Sequence, residues 1–234
     1  LYSENLKLVD VDACNRSYKS IGGVLYDKEM KLLFVPPKLL TSAFQIPSGT
    51  ISIQNCAFFW DEYLTFLELP STVIRIGKGA FQGCRNLSLV HLSDNLVSIG
   101  DYAFSICGSL NSLTFPHSLK CIGVNAFYLC GNLGSLFIPK NVEFIGEGAF
   151  SDCNDLVIEV CETNLYFSVV DGVLVDREGR GVFASRNAII GECTISKRIT
   201  IIGNALFKNC DQLQSVKIHG GVEEIGRNAF ENCK

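Results

Sequence analysis

IGKGAFQGCRNLSLVHLSDNLVSIGDYAFSIC, residues 76–107, states one phrase twice: I-G-x-x-A-F-x-x-C. A leucine follows three residues after the first cysteine, and a V-x-L alternation stands behind it. The phenylalanine of the phrase recurs at Phe58, Phe81, Phe104, Phe127 and Phe150, each 23 residues from the last, and again at Phe207 and Phe230. A fixed period of this length makes the chain an array of similar coils, each able to bury its apolar side only against its neighbours.

Periods of 20 to 29 residues with leucines feeding a short strand belong to leucine-rich solenoids. The expected architecture is a single solenoid over residues 1–234, of roughly nine coils, with a parallel β-sheet along one face and little helix. Strands centre on Leu67-Glu68-Leu69, Val90-His91-Leu92, Leu113-Thr114-Phe115 and Leu136-Phe137-Ile138, each with the period of two of a half-buried strand. Pro47, Pro70, Pro116 and Pro139 end them. Residues 5–11 read as a first strand and residues 43–46 as another. Gly77, Gly100, Gly123 and Gly146 are expected to take positive φ in a turn, and A-F-x-x-C to form one helical or 3₁₀ corner.

The phrase breaks twice. In SYKSIGGVLYDKEMKLLFVPP two apolar runs, Val24–Tyr26 and Leu32–Val35, flank Asp27-Lys28-Glu29, a hairpin signal. Residues 158–183 repeat residues 9–34 at an offset of 149, carrying Val11 to Val160, Asn15 to Asn164, Gly23 to Gly172 and Phe34 to Phe183. The same offset carries Ile46 to Ile195, Phe58 to Phe207 and Phe81 to Phe230. Irregular hairpin-bearing coils at about 12–46 and 161–195 therefore form a super-repeat, with both hairpins projecting from one edge. The chain opens within a repeat and stops one residue after a repeat cysteine, so a piece of a longer array is expected.

Composition excludes several classes. Apolar residues make up 47% and charged residues 19%, too few charges for disorder or a coiled coil. A net charge of −4, without a Lys/Arg run, argues against nucleic acid. No apolar run reaches the roughly 18 residues of a membrane span, so direct insertion is not expected. Cys84, Cys107, Cys130, Cys153, Cys210 and Cys233 share one column and read as reduced, buried structural thiols. Cys14, Cys56, Cys121, Cys161 and Cys193 follow no metal-ligand spacing.

The phrase IPKNVEFIGEGAFSDCNDL and the segments SYKSIGGVLYD and YFSVVDGVLVD resemble the BspA-type leucine-rich repeat family over nearly the whole chain. Six or more copies agree. Asp61, where the column cysteine is lost, and Leu206, which replaces the alanine before Phe207, depart from the pattern. The resemblance implies a cell-surface or secreted protein of anaerobic bacteria or of protists such as trichomonads, with a role in adhesion. It supplies no catalytic residues.

Motifs for nucleotide, metalloprotease or serine-hydrolase chemistry are missing, and His91, His117 and His219 fall in different columns. No catalytic, cofactor-binding or metal-binding residue is assigned, and the chain is read as a non-enzyme. The central strand positions do carry a signal. Phe66, Leu89, Phe137 and Val157 are apolar where a solvated sheet would be polar, with Glu68 and His91 beside the first two. Two readings stand: flanking loops cover these side chains, or they form an interaction surface. In FFWDEYL, residues 58–64, Trp60 and Tyr63 either pack against the first hairpin and Pro36-Pro37 or form a partner hot spot. Asn15 and Asn86 head glycosylation sequons. The candidate partner surface is Phe66, Glu68, Leu89, His91, Phe137, Trp60 and Tyr63, facing a protein or glycan of host-surface or matrix type. A structural stalk and an intracellular scaffold are the alternatives.

Overall fold

The computed structural model describes residues 6–36, 39 and 44–233. They form a β-solenoid of about 8 coils with parallel sheets and almost no helix. Two ladders run along it. A narrow one is built from the V-x-x-I-G segments: Ser52–Ile53, Arg75–Ile76, Ser98–Ile99, Cys121–Ile122 and Phe144–Ile145 pair in parallel, isoleucine opposite isoleucine. A broader one comes from the V-x-L alternation. Phe66–Glu68 pairs with Leu89–His91, and that strand with Ser112–Leu113. Ser135–Ile138 pairs with Val157–Val160, and Gly191–Thr194 with Leu213–Lys217. Parallel strands thus line two faces, because each coil alternates apolar residues at two separate places.

Each insertion is a three-stranded antiparallel unit rather than a two-stranded hairpin. Tyr18–Ile21, Val24–Asp27 and Lys31–Phe34 pair in turn, and so do Phe167–Val170, Val173–Asp176 and Arg180–Ala184. The last strand of each enters the narrow ladder, against Ser52–Ile53 and Ile201–Ile202 respectively. Residues 6–11 form no strand. Ala43 lies outside the described residues, and Phe44–Ile46 also forms no strand.

Between the ladders the phenylalanines fill the core. The Phe58, Phe81, Phe104, Phe127 and Phe150 rings stack with centroids 4.8, 5.1, 5.4 and 5.8 Å apart. At the second hairpin the stack ends edge-on against Phe183, and it resumes between Phe207 and Phe230. The buried residues accordingly divide into two clusters there, where an unbroken array would have one.

The A-F-x-x-C corner is not helical. Backbone bonds Ala80 N to Gly77 O, Gln82 N to Gly79 O and Cys84 N to Phe81 O close successive four-residue turns. Between them Gly79, Phe81 and Gly83 donate to Asp101, Ala103 and Ser105 one coil on, each at 2.8 Å. Each corner carries positive φ at two residues four apart, as at Gly79 (59°) and Gly83 (79°) or Tyr102 (56°) and Ile106 (62°), with the phenylalanine between them outside that region. The glycine after each isoleucine has another role, since Gly77, Gly100, Gly123 and Gly146 are not at positive φ. A Cβ on Gly123 would stand 2.4 Å from the Asp101 nitrogen, and one on Gly146 2.4 Å from that of Val124. These glycines let the coils touch backbone to backbone.

The cysteine column completes the corner. The Cys84, Cys107, Cys130 and Cys153 thiols are buried and donate to the Phe58, Phe81, Phe104 and Phe127 carbonyls at 3.1–3.2 Å. All are free thiols, and burial pushes each pKa upward, that of Cys153 to about 12. Asp61 occupies the same column at the first regular coil. Its Oδ1 accepts the Tyr63 and Leu64 N–H groups, each at 2.8 Å, closing the turn with a carboxylate instead of a thiol. Burial raises its pKa, and those two bonds oppose the rise. Leu206 is explained by Gly181 opposite it: a Cβ there would lie 2.5 Å from Leu206 Cδ2. The super-repeat counterparts, Leu32 and Ala57, carry the large and small residues the other way round.

Candidate functional site

Side chains of the broad ladder alternate as a strand dictates. Leu67, Val90, Leu113, Leu136 and Ile158 point inward and are buried. The residues beside them face out, in coil-to-coil register. Phe66 stands opposite Leu89 and Glu68 opposite His91, and the Phe66 ring meets the His91 ring edge-on at 5.3 Å. Phe66 and Leu89 are half-buried, whereas Glu68 and His91 are exposed. These four candidates form one cluster.

Phe137 lies apart from them. It stands opposite Glu159 in the next coil, with Ser135 opposite Val157, and both apolar side chains are exposed, Phe137 by 47% and Val157 by 46%. Ser112 and Thr114, both exposed, lie along the ladder between the two clusters. The face is therefore two apolar patches separated by one hydroxyl-bearing coil.

Trp60 and Tyr63 sit on the corner before Phe66. Trp60 packs forward onto the next coil. Its ring covers Gly83, where a Cβ would come within 2.5 Å of Trp60 Cδ2, and the Arg85 guanidinium lies 4.8 Å from its centroid. The described contacts of Trp60 thus point away from the first hairpin; Pro37 lies outside the described residues. Tyr63 is 54% exposed. The Asn86 side chain donates to the Glu62 carbonyl at 2.8 Å. Asn15 is exposed, and its Oδ1 accepts the Ser17 and Tyr18 N–H groups. The second-copy Asn164 repeats that turn, accepting from Tyr166 and Phe167.

Two cavities beside the second insertion were missed from the sequence. The larger, about 630 Å³, opens where the narrow ladder stops at Phe144–Ile145, between that strand and the Asp176–Gly181 segment. Asn204, on its lining, donates to Glu147, and outside this cavity Asp152 receives Lys208 at 3.2 Å and Asn209 at 2.7 Å. The smaller, about 220 Å³, lies between the broad ladder and the insertion, lined by Val157, Val169, Leu174, Phe183 and Ser185 among others. Its signal was the 149-residue super-repeat, read for the positions at which the two copies differ in size.

Residues 38–157 and 179–234 match the profile of the BspA type leucine rich repeat region, in 6 copies. No curated protein matches the sequence significantly. Among solved structures, a leucine-rich repeat protein from Eubacterium ventriosum superposes with a TM-score of 0.74 at 22% identity. That match covers 93% of this chain and 62% of the other, so the chain spans less than two thirds of that structure. The pneumococcal vaccine antigen PcpA matches with a TM-score of 0.58 at 23% identity, over 87% of this chain and 46% of its own. A leucine-rich cell surface protein from Faecalibacterium prausnitzii gives 0.53 at 20%, covering 94% and 75%. These structural likenesses speak for the fold.

Proposed function

The chain belongs to the BspA-type leucine-rich repeat family, and from that premise we propose that it is a non-enzymatic binding module of the cell surface. Its partner is a protein or glycan of host-surface or matrix type, met by the broad ladder and the adjoining edge of the insertions. The observation that carries this reading is the outward row of the ladder. Phe66 and Leu89 in one patch, and Phe137 and Val157 in another, present apolar side chains rimmed by Glu68, His91 and Glu159. Apolar clusters with a polar rim mark interaction surfaces. The ladder is long and shallow, which suits a macromolecule better than a small ligand. Tyr63 and the Trp60–Arg85 stack extend the surface to the neighbouring corner. A surface location draws support from two structural neighbours, a cell surface protein and a vaccine antigen.

The test is binding of the chain to a panel of matrix and plasma proteins, alongside a Phe66→Ser/Phe137→Ser variant whose fold is checked by circular dichroism. Wild-type binding lost in the folded variant supports the ladder as the surface. Binding that survives the double substitution overturns it.

A further inference from the structure

The smaller cavity has an equivalent position in the first copy of the super-repeat. There, Gly23 is covered by two leucines: a Cβ on it would meet Leu8 Cβ at 3.0 Å and the Leu39 methyls at 3.2 and 3.3 Å. At the offset of 149 these residues become Gly172, Val157 and Ala188. Ala188 still reaches the glycine, with its Cβ 2.6 Å from the equivalent point, but carries no chain beyond. Both covering leucines have shrunk, and the space remains as a cavity of about 220 Å³. That is below the range of drug-sized ligands and suits one ring or one side chain.

A third difference gives the cavity its chemistry. Pro36 of the first copy corresponds to Ser185, which lines the cavity, is only 6% exposed, and has a hydroxyl without a hydrogen-bond partner among the described residues. Ser185 is the N-cap of the 3₁₀ turn Arg186–Ala188, where a serine usually accepts from the turn's own N–H groups; this one makes no such bond. The turn is clamped from outside. Arg186 donates to Asn154 at 3.0 Å and reaches Asp211 at 3.4 Å, and Asn187 donates to Asp155 at 3.1 Å. A buried hydroxyl left without a partner is costly, and in an apolar cavity it calls for a ligand with one polar group.

We propose that the cavity framed by Val157, Val169, Leu174 and Ser185 binds a phenol ring, the side chain of a tyrosine on a partner protein's loop, with Ser185 Oγ pairing to the phenol hydroxyl. The cavity opens beside exposed Val157, next to Phe137 and Glu159 on the broad ladder. The tyrosine source therefore rests on the binding-module reading above, whereas the phenol chemistry of the cavity can be tested without any protein partner.

The whole chain is titrated with p-cresol and with toluene, following the methyl resonances of Val157, Val169 and Leu174 by NMR. p-Cresol is expected to saturate those shifts at about tenfold lower concentration than toluene, the equivalent of one buried hydrogen bond. Ser185→Ala should remove that preference. Ala188→Leu, which restores the leucine of the first copy, should abolish binding of both and remains informative if Ser185→Ala fails to fold. Equal binding of the two probes, preference retained in Ser185→Ala, or no shift with either probe overturns the proposal. For the source, N-acetyl-tyrosinamide should bind at least as well as p-cresol; if p-cresol binds and the blocked tyrosine does not, the assignment to a protein side chain fails. Failure of the matrix panel alone would leave the cavity result standing, and failure of the cavity alone would leave the ladder.

Discussion

Leu206 and Gly181 offer a direct test of how the coils are packed. Leu206 is 3% exposed and its Cδ2 occupies the position a side chain on Gly181 would need, 2.5 Å from the would-be Cβ. Their counterparts Leu32 and Ala57 are both fully buried, with the leucine on the insertion strand and the alanine on the corner. One volume is thus filled from opposite sides in the two copies. Leu206→Ala should empty it at a cost of about 2–5 kcal/mol, because the ladders on either side limit collapse. Gly181→Leu in the native background should overpack it, costing about 1–3 kcal/mol or more. Gly181 is not at positive φ, so its backbone accepts a leucine. The double variant Gly181→Leu/Leu206→Ala recreates the Leu32–Ala57 arrangement and should recover most of both losses, a favourable coupling of about 2 kcal/mol or more.

The assay is urea denaturation at constant temperature, with thermal melting as a check. A loss of about 3 kcal/mol corresponds to a fall in Tm of roughly 6–12 °C for a chain of this size. In a quasi-one-dimensional array the loss should appear first in the coils after the second insertion, where Leu206 and Phe207 share the separate core cluster. A double variant as unstable as the sum of the single variants would refute the claim that the two sites share one volume.

The buried thiols make stability depend on alkaline pH. In the unfolded chain they ionise near their ordinary value, roughly 8.5, whereas Cys84, Cys107, Cys130 and Cys153 in the folded chain hold their protons to far higher pH. The unfolded state then binds fewer protons, so stability should fall as pH rises above about 9, by about 1.4 kcal/mol per pH unit for each thiol. Urea midpoints at pH 7, 9 and 10 check this, and a Cys107→Ser/Cys130→Ser variant that shows the same slope would refute it. Gly123→Ala should separate two coils and abolish or severely weaken folding, because its Cβ would meet backbone at 2.4 Å; Gly134→Ala, with nothing within 4 Å, should leave Tm within about 2 °C.

The column residues were legible because a 23-residue period places each on its own copy one coil away. That alone gives the phenylalanine stack, the cysteine column and the neighbouring Phe66 and Leu89. The glycine after isoleucine was misread because two needs look alike in a sequence: positive φ and room for a passing backbone. The positions that do take positive φ hold Gly79, Tyr102, Asn125 and Gly148, a mixture without a shared signature. The narrow ladder lies outside what the sequence foretells. Two-residue strands carry too little alternation to announce themselves, although Ile53, Ile76, Ile99, Ile122, Ile145 and Ile202 are all buried. Trp60 could not be placed from the sequence because its contact depends on Gly83 leaving a space one coil on.

The two cavities flank the second insertion for a physical reason. In the regular coils every second corner N–H finds a carbonyl one coil on, as Phe127 N does at Ala149 O, and each phenylalanine finds the next. A repeated packing leaves no room for a cavity without opening one in every coil. The insertion brings strands to the narrow ladder but no A-F-x-x-C corner, so Phe150 meets the edge of Phe183 instead of another corner phenylalanine. Among the described residues the Gly148, Phe150 and Asp152 N–H groups have no backbone acceptor. Side chains then span what backbone cannot, with Asp152 reaching Lys208 and Asn209 across the missing corner. An array that must stay stiff along its length can therefore vary its surface most freely at an insertion, where a residue change alters one place and not a column. Leu39 becoming Ala188, and Pro36 becoming Ser185, are changes of that kind.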